Sequence, residues 1–405
     1  MSKKSTIHYF PVGNGDMTLI KIASNDRFHY VLVDIHIREG CTSDEDKCNV
    51  INELYDILEA DSDGRPYVDV MVLTHPDEDH IRGFESYFHQ GALAGYVKPK
   101  DGNRGKIVVR EIWSSPLIFR RKSKDHSLCS DALAFNTEAK RRVKLYREAG
   151  AIGGEGDRIR LIGKDIDGKT DDIMPIVYEI DDTIRTLNEV YVNELQAVVL
   201  GPLADDEFED PDEIDKNRSS IILQWGIASH GYEEPSNYVL LAGDASVEAW
   251  EIIWEKYKNK KSQLQYDLLL APHHCSWHTL SHDSYKNSDN PQVSDDARSA
   301  LSQARTGAVI IASSNPIKND KNDPPNYGAK LEYMDIAEEH QGQFCCLADN
   351  IEGKSKAPSV LTYKLTNEGP QLDKKVTKPS DSGASKRSTA TSALFSASGE
   401  AIGHG

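Results

Sequence analysis

The chain has 405 residues and a formal net charge of −18, from 47 Lys and Arg against 65 Asp and Glu. That balance excludes a protein that grips nucleic acid through bulk positive potential. A hydrophobic share of 38% and a mean hydropathy of −0.55, with no apolar run approaching the roughly 18–20 residues a helical span needs, exclude a membrane-spanning protein. The length allows two or three average domains, although a large α/β fold can absorb it whole. Met1–Thr6 runs into a strand without an apolar signal region, which predicts a cytoplasmic protein. The six cysteines (Cys41, Cys48, Cys129, Cys275, Cys345, Cys346) show no framework spacing and are expected to be free thiols of a reducing compartment.

In chain order, strands are predicted near 7–13, 17–22 and 29–34, the third ending in Asp34. Val50, Leu54, Ile57 and Leu58 recur at helical spacing and predict an amphipathic helix that covers a sheet face. The apolar run Val68–Leu73 predicts a buried strand over 68–74, and it leads into His75-Pro76-Asp77-Glu78-Asp79-His80. Core packing does not ask for His, Asp, Asp and His at the mouth of a strand. Carboxylates this close repel each other, and a bound dication is the usual reason to tolerate them. The competing reading is a polar turn with Asp77 or Asp79 as helix N-cap.

Further strands are predicted at 107–113, 159–162, 197–200 and 220–225. Residues 98–124 hold nine Lys and Arg against two acids, and 140–147 add five more basic residues with no acid among them. With Trp113, Phe119 and Tyr146 interleaved, this segment (98–147) could stack bases and neutralise phosphates, with Arg120, Arg121, Arg141 and Arg142 as candidate contacts. The competing reading is a solvated helix face. Residues 205–215 carry eight acids in eleven positions and read as an exposed loop that could mask a site or dock a basic partner.

Two more ligand clusters follow apolar strands. The strand 238–242 ends in Gly243-Asp244 and is followed by a helix from Val247 to Tyr257, with Trp250, Ile253 and Trp254 on one side. The strand 265–271 ends in Pro272-His273-His274-Cys275, beside a polar loop over 281–298. A lone Gly-Asp reads as a turn and a lone His-His as a capped loop, but three such clusters can converge on one rim and build a dinuclear site. Strands at 307–313 and 359–365 close the pattern, and from Lys374 the chain is too poor in apolar groups to order itself. The expected organisation is one domain over 1–373, in two αβ halves of about 1–165 and 166–373, with a disordered tail over 374–405.

Six elements in this order resemble the metallo-β-lactamase-fold hydrolases, and among them the ComEC-like metallo-hydrolases, the branch that includes the nuclease domain of a DNA-uptake channel. They are Val12-Gly13-Asn14-Gly15-Asp16 after the first strand, Val33-Asp34, His75–His80, Asn217–Leu223, Gly243-Asp244 and His273–Ser276. The resemblance covers about residues 7–365, with the strand Ala308–Ser314 and a helix from Ala329 to Glu339 in the place of the family's last strand and helix. It implies an α/β fold, an αββα four-layer sandwich of the metallo-β-lactamase type.

It also implies two divalent ions, zinc or manganese, with magnesium a further candidate. His75 and Asp77 would hold one ion, Asp79 and His80 the other; Asp244 would bridge, and His273 would complete the set. His274 would act on the reacting phosphate or its leaving oxygen, or support a ligand, while Asp16, Asp34, Asn217 and Ser219 would lie behind the ligands. This chain departs from the family pattern in having Asp77 at the second histidine position, which hardens the site towards manganese or magnesium. It lacks a histidine before the Gly-Asp strand, has Cys275 after the histidine pair, and has His36 after Asp34-Ile35, where it could approach the site or cap the strand.

The leading expectation is a metal-dependent phosphodiesterase or nuclease acting on DNA or another nucleic acid. The alternatives are a small-molecule hydrolase (of a lactone, a phosphocholine ester or a cyclic nucleotide) and a regulatory module with a vestigial site. Free-standing relatives of this kind can also work in multi-protein systems with a licensing partner.

Overall fold

The computed structural model describes residues 3–100, 103–115, 127–163, 168–203, 219–229, 231–353 and 355–373. The basic stretch around Arg120 and Arg121, the acidic loop 205–215, Asn217 and the tail 374–405 lie outside them.

Two sheets form the centre. The first has nine strands: β1 (Ser5–Tyr9), β2 (Thr18–Ser24), β3 (Arg27–Val33), β4 (Tyr67–Val72), β5 (Val108–Ser114), β6 (Arg158–Ile162), β7 (Val177–Tyr178) and, from the far end of the chain, β15 (Leu361–Thr366) and β16 (Gly369–Leu372). Their order is β16-β15-β1-β2-β3-β4-β5-β6-β7. The second sheet has seven: β8 (Thr183–Ile184), β9 (Leu195–Gly201), β10 (Ile222–Ile227), β11 (Asn237–Leu241), β12 (Tyr266–Leu270), β13 (Ala304–Ala312) and β14 (Gln343–Cys346). Its order is β14-β13-β12-β11-β10-β9-β8. In both sheets antiparallel strands hand over to parallel ones. β3 pairs in parallel with β4 (Val31 opposite Val70), and β11 with β12 (Val239 opposite Leu268).

The layers follow from side-chain alternation along strands buried on both faces. Val70 and Val72 of β4 pack with Leu268 and Leu270 of β12 in the core between the sheets. Their neighbours Met71 and Leu73 face outward onto helices α1 (Val50–Ile57) and α2 (Ser130–Ala149). On the other side Leu240 and Leu269 meet α3 (Val247–Tyr257), α4 (Asp295–Leu301) and α5 (Tyr327–Glu339). The result is a four-layer αββα sandwich. Among the described residues no helix is long and apolar enough to cross a membrane, and all six cysteines are free.

Each predicted strand is present within a few residues; β7, β8, β14 and β16 were not anticipated. The expected division near residue 165 is crossed: β7 still belongs to the first sheet, and β15 returns to it from the end of the chain. β15 pairs with β1 along its whole length, from Ser5 opposite Leu365 to Tyr9 opposite Leu361. Backbone pairing, which strand patterns do not encode, decides sheet membership here.

The inter-sheet core includes a stacked pair, Trp113 and Trp225, with centroids 5.8 Å apart and planes 5° from parallel. Trp113 Nε1 donates to Glu111 Oε1 at 2.6 Å, while Glu111 Oε2 is buried with no hydrogen-bond partner. Burial pushes the Glu111 carboxyl up from 4.5 to about 7, only partly offset by the Trp113 bond and Arg160. The protonated form is therefore favoured in the fold. Its contribution to stability is fully present below about pH 4.5 and is lost as pH rises through about 7. Glu111→Gln should raise unfolding stability by about 2 kcal/mol at pH 8 and change it little at pH 4, as read by urea denaturation. A variant no more stable at pH 8 would mean that the Arg160 contact outweighs the cost of burial.

Candidate metal centre

The candidate ligands leave the carboxyl ends of parallel strands, where open α/β sheets characteristically bind ligands. β3 delivers Asp34, and β4 delivers Thr74 and His75, then Asp77 and the helical turn Glu78–Ile81 that carries Asp79 and His80. From the second sheet, β11 delivers Asp244 and β12 delivers His273 and His274. Close approach of the two rims requires glycine at position 243, where a Cβ would lie 2.6 Å from Thr74 Oγ1. The histidine turn is strained: His273, His274 and Cys275 have φ of 51°, 54° and 68°, three successive non-glycine residues in the left-handed region.

The carboxylate of Asp244 sits at the centre. Its Oδ2 is 3.3 Å from His75 Nε2 and 3.4 Å from His273 Nε2, while Oδ1 is 3.1 Å from His80 Nε2 and 3.6 Å from His274 Nε2. Each oxygen thus faces its own pair of imidazoles. Asp77 lies 3.8 Å from His75 Nε2 on one side, and Asp79 lies 3.2 Å from His274 Nε2 on the other. Behind them, Asp34 Oδ2 is 2.8 Å from His80 Nδ1, and Asp16 Oδ1 is 3.2 Å from His274 Nδ1. Asp34 also accepts the Thr74 amide at 2.7 Å and its hydroxyl at 2.5 Å.

Electrostatics follow the crowding. Burial opposes charge on His80, but Asp244 and Asp34 outweigh it and hold the ring protonated well above its usual range. Burial likewise opposes charge on His274, yet Asp244, Asp16 and Asp79 push it up to about 10. Asp244, against its own burial, is held well below the carboxylate range by His273, His75, His80 and His274. Protons here occupy positions that a dication could take.

Three sets could hold an ion by proximity: His75, His80 and Asp244; His75, Asp77 and Asp79; and Asp16, His80 and His274. Unsatisfied polar atoms test the fit. Among the described residues, His75 Nε2, Asp244 Oδ1 and Asp16 Oδ1 are all buried without a hydrogen-bond partner. Such orphans are costly unless something completes them. Buried imidazole and carboxylate atoms that converge and leave such orphans suit divalent ions, and the carboxylate share suits manganese or magnesium as well as zinc. Capping does not account for the motif, since Asp77 occupies the N-cap position of Glu78–Ile81 but makes no side-chain cap hydrogen bond.

The other candidate residues fall differently. Ser219 is buried with its hydroxyl unpartnered among the described residues, and it is Ser220 Oγ that accepts the Asp244 amide at 3.2 Å. His36 approaches the site: it is buried, Nδ1 has no hydrogen-bond partner, and burial pushes its pKa down to about 3. A Cβ on Gly15 would collide with that ring and with the Asp79 carbonyl, so glycine is required there too.

Arg141 and Arg142 do not serve as a phosphate-contacting pair. Arg142 is buried, with Nε on Glu138 at 2.8 Å and its other nitrogens on the Arg158 and Val109 carbonyls. Arg141 bonds Glu138 and Asp157. The cations of α2 that do face an open groove, of about 670 Å³, are Lys140, Lys144 and Arg147. That groove is also lined by Ser114 and Ser115, at the end of the strand beside β4. Charge alone could not show which face of α2 is buried. Thr74 carries no signal beyond lying next to a ligand in sequence, whereas Gly15 and Ser220 fall within elements of the resemblance and His36 is the residue expected either to approach the site or to cap the strand.

No family model and no curated protein sequence matches this chain. Among solved structures, a beta-lactamase domain protein from Burkholderia ambifaria is similar at 12% identity and a TM-score of 0.29, over 73% of this chain and 68% of that one.

Proposed function

We propose that the protein is a metal-dependent hydrolase of phosphodiesters, with nucleic acid as its substrate. The observation that carries this reading is the division of the Asp244 carboxylate between two imidazole pairs, the arrangement of a bridging ligand in a dinuclear centre. When bound, such a pair of ions makes water nucleophilic at neutral pH and offsets charge on the phosphoryl oxygens. In this assignment His75, Asp77 and His273 would hold one ion, and Asp79, His80 and His274 would hold the other.

His274 takes a ligand's role in place of a proton donor's, because it is 1% exposed and faces three carboxylates, whereas His273 is 20% exposed. Asp34 fixes the His80 tautomer by accepting from Nδ1, which leaves Nε2 free to ligate, while His274 Nδ1 accepts the Gly15 amide at 3.2 Å with Asp16 Oδ1 beside it at 3.2 Å. The carboxylate-rich set favours hard, phosphate-binding ions, and the lysine-edged groove at the end of β5 supports an extended anionic substrate.

The test is turnover by the manganese-loaded protein of single-stranded, double-stranded and circular DNA, RNA, bis-p-nitrophenyl phosphate and a lactone panel. Phosphodiester cleavage is expected, with a loss of at least about a hundredfold in His80→Ala and a retained circular dichroism spectrum. Lactone turnover alone would assign the site to small molecules, and no phosphodiester cleavage at all would reject the reading.

A further inference from the structure

Arg38 stands two residues beyond His36 in a segment tied to the metal motif. Ile35 and His36 bridge to Ile81 and Arg82, and the Ile37 amide donates to the Arg82 carbonyl at 2.9 Å. From there the half-buried Arg38 side chain reaches the Gly13–Asp16 turn. A Cβ on Gly13 would lie 2.8 Å from an Arg38 guanidinium nitrogen, and the only hydrogen bond of that guanidinium among the described residues is a long one, 3.5 Å, to the Pro11 carbonyl.

The turn itself is held from both sheets. Its Asp16 amide donates to the Asp79 carbonyl at 3.1 Å, and Ser313 Oγ donates to the Gly15 carbonyl at 2.5 Å. Asn14 accepts the Asn315 amide at 2.9 Å and donates to the Pro324 carbonyl at 3.0 Å. Arg38 therefore lies on a rigid lip whose next residues, Gly15 and Asp16, touch His274.

Most arginines among the described residues have a close carboxylate; Arg38, like Arg158 and Arg185, has none. Unlike Arg158, whose guanidinium bonds Gly153 and Asn188 oxygens at 2.7–2.9 Å, it has a single long hydrogen bond. Arg27, Arg65, Arg82, Arg110, Arg141 and Arg160 each meet a carboxylate within 3.8 Å. Arg38 has no carboxylate within 4 Å among the described residues, and Asp44, the acid that acts on it from further away, is paired with Lys47 at 3.2 Å. A protein with 65 acidic residues leaves this half-buried guanidinium without a close carboxylate, against the turn that leads into Asp16. A planar fork of donors without an acceptor is suited to bidentate capture of a phosphate.

We propose that Arg38 binds a second phosphate of the substrate, next to the one that is cleaved, and so selects nucleotide chains over isolated diesters. This rests on the phosphodiesterase reading above and adds a specificity-determining residue to it.

The test uses the manganese-loaded full chain, its Arg38→Gln and Arg38→Lys variants, and the p-nitrophenyl ester of thymidine 5′-phosphate with and without a 3′-phosphate. The preference in kcat/KM for the 3′-phosphorylated ester should fall about tenfold in Arg38→Gln and be partly restored in Arg38→Lys, whatever the absolute rates. Calorimetric affinity for thymidine 3′,5′-bisphosphate, relative to the 5′-monophosphate, should fall by the same factor. Esters that are cleaved with preference and affinity unchanged in Arg38→Gln would overturn the Arg38 assignment and leave the phosphodiesterase standing. Arg38-dependent binding of the bisphosphate without cleavage of either ester would do the reverse. A uniform loss on both esters with unchanged relative affinity would make Arg38 a structural residue.

Discussion

Asp244→Asn is expected to reduce phosphodiester turnover by at least about a thousandfold, and to cut bound divalent metal from about two ions per chain to one or none. Asparagine keeps the size of the side chain and one oxygen, so packing is nearly preserved. What it removes is the second anionic oxygen and the charge that four histidines share. With a single carbonyl oxygen, only one of the two imidazole pairs could keep its oxygen ligand. Elemental analysis of the purified variant gives the direct reading, and full metal content in Asp244→Asn would remove Asp244 from the centre. The same substitution should lower the pKa of His80 and His274 in the metal-free protein, because Asp244 is the strongest of the charges that raise both. Histidine titration by NMR would register that change even if metal binding failed altogether.

Arg142→Ala should destabilise the fold by about 3 kcal/mol while leaving the salt dependence of any DNA binding unchanged. The guanidinium bridges helix α2 to the first sheet through Glu138 and the Val109 and Arg158 carbonyls, all away from solvent. Alanine would strand those two carbonyls and remove one of the two arginines that neutralise Glu138. Arg141→Ala should cost less, about 1 kcal/mol, because its side chain is 26% exposed and water can replace part of what is lost. Urea unfolding separates the two variants. A reduced log–log salt slope for DNA binding in Arg142→Ala, with stability intact, would restore the residue to a nucleic-acid surface.

The ligand residues could be read from the sequence because their chemistry contradicts their position. Imidazoles and carboxylates directly after buried strands have no packing reason to be there, and parallel pairing of β3 with β4 and of β11 with β12 brings those strand ends together. The division of labour between His273 and His274 was not legible, because it depends on three left-handed residues that no local pattern announces. Ser220 and Thr74 are ordinary residues until the two rims meet, and for His36 the sequence leaves approach to the site and capping of the strand both open. The basic segment misled for a related reason: composition counts charges but does not say which of them already have partners. Arg38, by contrast, drew no attention in the sequence, and only its surroundings show that it lacks one.

The return of β15 to the edge of β1 also shapes how this protein is made. β1 is made long before β15, the strand that its outer edge pairs with, and the His8–Thr362 contact spans 354 residues. Until nearly the whole domain has been synthesised, that edge remains an unpaired row of amides and carbonyls, open to pairing with another chain. The first sheet is therefore complete only once its last hairpin has been made, and the edge of β1 is exposed to other chains until then.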